Sequence, residues 1–75
     1  MEIRQIIIST DDGYSIYQSI NNGRWAQLLI NERYLFETLD KACFATRYEG
    51  PDWTTLDLPR LEGKMYVVAE RSWTL

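Results

Sequence analysis

With 75 residues, 11 acidic and 8 basic side chains, one cysteine and no histidine, the chain has room for one domain and a thin core. The net charge of −3 argues against a non-specific nucleic-acid binder, which draws its affinity from a basic excess. Without histidine, Ser/His/Asp and Cys/His catalytic arrangements are excluded, and a lone thiol forms no internal disulfide.

A single thiol sits most comfortably in a reducing compartment. No charged segment leads into a long apolar run, and the apolar stretches 6–8 and 28–30 are far too short to cross a bilayer. The expectation is a cytoplasmic protein with no membrane partner. The aromatic content is high, with 3 Trp, 5 Tyr and 2 Phe, and large rings help a small domain bury area.

Residues 3–10 open with Ile3, Ile6, Ile7 and Ile8, a β-branched run that predicts a strand. Ile6 and Ile8 share one face and Ile3 and Ile7 the other, which suits a central strand. Asp11-Asp12-Gly13 and Asn21-Asn22-Gly23 then read as two turns, each polar-polar-Gly. Three-residue loops at both turns set Ile8 opposite Ile16 and Ile16 opposite Leu28. They gather Ile6, Ile8, Tyr14, Ile16, Leu28 and Ile30 on one surface, whereas two-residue loops disperse that cluster. The first three strands are therefore expected to form a meander with one strong apolar face.

Residues 34–48 carry the only sustained helical period, with Leu35, Phe36, Leu39, Ala42, Cys43 and Thr46 on one stripe. Asn31 or a residue just after it is the expected cap, and Gly50-Pro51 the expected stop. Ala42 and Cys43 are small enough to let the helix approach the sheet closely. Residues 54–58 predict a short edge strand ended by Pro59, and residues 64–73 a longer one returning beside the first. The whole predicts one α+β domain over residues 1–75. It has a three-stranded antiparallel meander, one helix packed on it, and one or two C-terminal strands in a two-layer, ββαβ-like arrangement.

No residue pattern specifies an enzyme, a cofactor or a metal. Cys43 falls on the buried stripe of the helix, so a core role outweighs a nucleophilic one. Asp11 and Asp12 read as a hairpin loop, because Tyr14, Ile16 and Tyr17 interrupt the oxygen ligands a calcium loop needs. Glu37, Asp40 and Glu49 read as a solvated face. Gly13, Gly23, Gly50 and Gly63 are isolated and make no phosphate-binding loop.

The aromatic residues carry the strongest functional signal. Phe44 and Tyr48 lie one turn apart on the side of the predicted helix away from Leu35, among charges. Either residues 52–63 fold back to bring Trp53 and Leu56 over them, or a second copy does. With Trp53 and the acids Glu49, Asp52 and Asp57 they form the expected protein-binding surface of a non-catalytic regulatory module. The acids, with Glu62, extend that expectation to an inhibitor occupying the basic surface of a nucleic-acid-handling protein. The alternative is a single-stranded nucleic-acid binder stacking bases on Tyr17 and Trp25 beside Arg4 and Arg24, which net charge disfavours.

Overall fold

The computed structural model describes residues 1–56 and 63–75. Strands β1 (Glu2–Thr10), β2 (Gly13–Ile20) and β3 (Ala26–Gln27) precede helix α1 (Leu39–Ala45), and β4 (Thr54–Thr55) and β5 (Tyr66–Thr74) follow it. All five strands join one antiparallel sheet in the order β3-β2-β1-β5-β4. This corrects the expectation of a three-stranded meander with strands added beyond a helix. β3 is a two-residue edge, and the long C-terminal strand pairs along the open side of β1. β1 thus becomes the centre of the sheet, as its two apolar faces require.

The first hairpin closes with a two-residue loop. Thr10 pairs with Gly13 and Ile7 with Ile16, so the expected three-residue register is displaced by one. Ile7, rather than Ile6 and Ile8, shares the interior face with Ile16. The Thr10 hydroxyl organises the loop, accepting from the Asp12 amide at 3.2 Å and donating to the Gly13 carbonyl at 3.1 Å. Gly13 has φ +139°, and a Cβ there would stand 2.7 Å from the Phe36 carbonyl oxygen. Only glycine admits that approach without strain.

In the second hairpin Asn21 and Asn22 take φ of 50° and 58°, the left-handed pair of a type I′ turn. One residue of irregularity follows, and Gln18 then pairs with Ala26, the register expected from the sequence. The backbone of Leu28 continues the pairing with an amide bond to the Ile16 carbonyl at 2.8 Å.

Asn31 does not cap a helix. Asn31 and Glu32 are again left-handed, and Ile30 and Arg33 exchange two 3.0 Å backbone bonds across them. The chain then runs extended far enough for Phe36 and Tyr14 to exchange two 2.8 Å bonds. The helix is confined to seven residues, capped by Thr38, whose side-chain oxygen accepts from the Lys41 amide at 3.1 Å. It ends at Thr46 and not at Gly50-Pro51. Gly50 instead lies against the indole of Trp73, where a Cβ would come within 2.9 Å of the ring.

The core joins Ile7 and Ile16 of the sheet to Phe36, Ala42, Val68 and Ala69. Ala42 is fully buried and lets the short helix sit close. Leu35, expected on the buried stripe, is exposed, and Phe36 fills the interior beside it. A bulge in β5 passes Ile7↔Ala69 and Ile8↔Val67 on either side of Val68, which adds a side chain to the core. The expected strand at residues 54–58 is seen at Thr54–Thr55, and positions 57–59 lie outside the described residues.

Candidate functional site

Of the residues expected on the protein-binding surface, Phe44 and Tyr48 are outside and Trp53 is not. Phe44 is 63% exposed and Tyr48 86% exposed, at the C-terminal end of α1 and the turn that follows it. Between them lies Arg47, absent from the sequence-derived surface. Its guanidinium carbon is 3.8 Å from the centre of the Phe44 ring and 4.3 Å from that of Tyr48. Its Nη1 donates to the Phe44 carbonyl at 2.8 Å. That carbonyl belongs to the last turn of the helix and also takes the Arg47 backbone amide at 3.3 Å, so the arginine side chain adds a second, shorter bond to it. The cue was present in the spacing, since Arg47 follows Phe44 by three positions and precedes Tyr48 by one.

Asn31, Asp40, Lys41, Phe44, Ala45 and Arg47 line a shallow depression beside these rings. Lys41 is committed through a 2.8 Å ion pair to Glu37, which precedes the Thr38 cap. That hydrogen bond, with the ammonium charge behind it, holds the exposed Glu37 carboxyl below its ordinary range. Arg47 is engaged as well, with the two rings and the Phe44 carbonyl, which leaves Asp40 as the charge of the depression with no ion pair among the described residues. Glu49 and Asp52 are exposed further along the chain. Asp57 and Glu62 lie outside the described residues.

Trp53 turns inward, against the alternative in which it reaches over Phe44. Its Nε1 donates to the Thr46 hydroxyl at 2.7 Å, and its ring faces Arg71 at 4.4 Å. Arg71 is the organising polar residue of the interior, only 6% exposed. It donates from Nε to Gln5 Oε1 at 2.8 Å, from Nη1 to the Pro51 carbonyl at 2.8 Å and from Nη2 to the Thr46 carbonyl at 3.2 Å. Trp73 closes its second flank at 5.0 Å. Gln5 in turn donates to Gln18 Oε1 at 2.8 Å. Burial lowers the arginine's pKa, and the field of Glu49 opposes that shift. This assembly ties the ends of the turn after α1, at Thr46 and Pro51, to the sheet, while the Tyr48 side chain stays outside.

On the opposite face of the sheet, the alternative set is brought together in part. Arg4, Tyr17 and Trp25 share that face, with the Arg4 guanidinium 5.3 Å from the Trp25 ring centre and Trp25 42% exposed. Arg24 is exposed beside Trp25 in sequence and makes no hydrogen bond, ion pair or ring contact with the other three. Cys43 is half-buried at the edge of the core. Desolvation first, and then the charge of Asp40, push its thiol pKa up, which opposes nucleophilic use at neutral pH.

Among the described residues no helix is long and apolar enough to cross a membrane, and no group of three or more His, Cys, Asp or Glu side chains could hold a metal. What the helix-end surface offers is a cation stacked between two rings, suited to receiving an apolar side chain and a carboxylate. Compared with protein families, curated proteins and solved structures, the chain matches none.

Proposed function

We propose that this chain is a non-catalytic protein-binding module whose recognition surface is the Phe44-Arg47-Tyr48 cluster at the end of α1. The observation that carries this reading is the exposure of two large rings that add little to the core while an arginine holds them in place. Tyrosine and arginine are the residue types that dominate interface energetics, and a pre-positioned cluster loses little side-chain entropy on binding. The acids Glu49 and Asp52 stand outside the cluster and suit a partner with a basic rim.

Affinity capture from the native host with wild type, Phe44→Ala and Tyr48→Ala tests the proposal. A protein retained stoichiometrically by wild type and lost from both variants supports it, provided all three unfold at the same urea concentration. Equal retention by the variants overturns it.

A second reading rests on Arg4 over Trp25 beside Tyr17 on the far face of the sheet. There a single nucleic-acid strand would stack on the rings. Titration of Trp fluorescence with labelled DNA and RNA at low salt, repeated with Trp25→Ala, separates the two. Salt-sensitive binding that is lost in the variant favours the nucleic-acid strand.

A further inference from the structure

We infer that the sheet face turned away from α1 is an interface between two copies of this chain, which pack that face against itself as a β-sandwich. The inference goes beyond the helix-end surface and does not depend on its role. Its basis is which side chains the pairing registers send outward. Ile7, Ile16 and Ala69 fill the core side, so their neighbours Ile6, Tyr17 and Glu70, paired across the same three strands, stand on the other. Further along, Ile8 and Val67 pair on that outer side, past the bulge that sends Val68 into the core. At the sheet edge Leu28 and Ile30 pack on the core, and Leu29 between them is 54% exposed. Trp25 completes the patch beside Arg4.

An antiparallel sheet face that meets water carries polar side chains outward. Here the central strand turns Ile6 and Ile8 outward, with Tyr17, Trp25, Leu29 and Val67 around them. Among the described residues, the helix and the chain at Phe36, Leu39 and Trp53 all pack on the core side. Leu56 and Gly63, which flank positions 57–62, line one depression with the core-side residues Tyr14, Leu39 and Val68. The outer patch spans the edge run 25–29, β2, β1 and β5, about 19 Å by 17 Å at ordinary strand spacing and rise. Two such faces in contact bury on the order of 1,000 Å² in total, the size at which specific interfaces begin. Stacked sheets accept one another either nearly aligned or nearly crossed.

Charge favours a second copy over a nucleic-acid strand as the occupant. Arg4 and Glu70 are both exposed on adjacent strands of this face, one of each sign. The face therefore meets its own copy with no excess of either charge, whereas a nucleic-acid strand would set its phosphates against Glu70. Packed this way, the dimer leaves both helices on its outer sides. It presents the Phe44-Arg47-Tyr48 cluster twice, so a partner with two docking sites gains avidity.

Sedimentation equilibrium tests the inference. The wild-type mass should rise from the 8.9 kDa of one chain towards twice that value. An interface of this size should half-assemble at about 10–100 μM. Ile8→Glu buries like charges at the centre of the interface, and Leu29→Glu does so from an exposed side chain outside the strands. Each should raise the dissociation constant about tenfold or more. Circular dichroism confirms folding, and Leu29→Glu keeps the test decisive if Ile8→Glu does not fold. In methyl spectra recorded on dilution, Ile6, Ile8, Leu29 and Val67 should shift with concentration and Ile7 and Ile16 far less.

A wild type that stays monomeric up to millimolar concentration overturns the inference, as does Leu29→Glu dimerising like wild type. Concentration-dependent shifts at Phe44 and Tyr48 in place of the sheet face overturn it too. A monomer that binds labelled DNA or RNA through Trp25 hands the face to the nucleic-acid strand.

Discussion

Arg71 shows how one side chain decides what its neighbours must be. Its guanidinium is spread over three neutral oxygens and two indole faces, on strand, turn and helix end at once. Arg71→Met keeps the volume but removes the Arg71 donor from Gln5 Oε1 and the Pro51 carbonyl, and leaves the Thr46 carbonyl with the Glu49 amide alone. Each unsatisfied buried group costs about 1–3 kcal/mol, so urea unfolding should show a loss of about 2–4 kcal/mol. Arg71→Lys should recover little of it, because an ammonium cannot span the three acceptors in one plane. None of this was legible in hydropathy. Gln5 sits between Ile3 and Ile7 on the interior face, where a polar residue reads as an outward position until Arg71 is placed beside it. Cys43, by contrast, was readable as a core residue from its stripe. Its thiol pKa is raised in the fold, so between the unfolded and folded values the native state holds more protons than the unfolded one. Stability should be complete below the ordinary thiol range and fall as pH rises through it. Cys43→Ser, which has no thiol to titrate, should lack that alkaline loss when urea midpoints are compared across pH.

At the scale of elements, the turns governed the fold more than the helical period did. The recurrence across residues 34–48 was real, but its first third is held extended by bonds to β2. Asn31 and Glu32 spend the would-be first turn on a reversal. The local signal for the true start was Thr38 ahead of Leu39 and Asp40, a cap followed by an acid in the first turn. The two polar-polar-Gly turns look alike in sequence and differ in kind. Asn21-Asn22 accepts two left-handed residues, whereas at Asp11-Asp12 the positive φ falls on Gly13. Asparagine tolerates that region better than most side chains, and this difference separates the two registers. Gly13 then becomes a position where an element boundary and a tertiary contact coincide. Gly13→Ala forces a Cβ against the Phe36 carbonyl at a φ that side chains rarely adopt. We expect a loss of about 1–3 kcal/mol in urea unfolding, with the Tyr14 and Phe36 amides exchanging faster.

For the molecule as a whole, the decisive step is the return of β5 to the open side of β1. The apolar character of both faces of residues 3–8 pointed to a central strand, and the return of the last strand beside the first was readable from the order of elements. The five-stranded order was not, because β3 and β4 are two residues each and leave almost no periodic trace. Unequal pairing predicts unequal stability. β1 is bonded along its length to β2 on one side and β5 on the other, and Ile7 at its middle is fully buried between Ile16 and Ala69. Alternate β1 amides bond to β2 and to β5, and freeing either set parts β1 from a long neighbour across the Ile7 core, which amounts to unfolding the sheet. The two-residue edges can open alone. Native-state hydrogen exchange should therefore give β1 amides the largest protection, equal to the global unfolding free energy, and β3 and β4 amides much less. Ile7→Ala should lower the β1 values by about 2–5 kcal/mol, tracking urea unfolding. The least protected β3 and β4 amides should move far less, because their local openings do not expose Ile7. Equal protection across β1 and β3 would mean that the sheet unfolds only as one unit, with no separable edges.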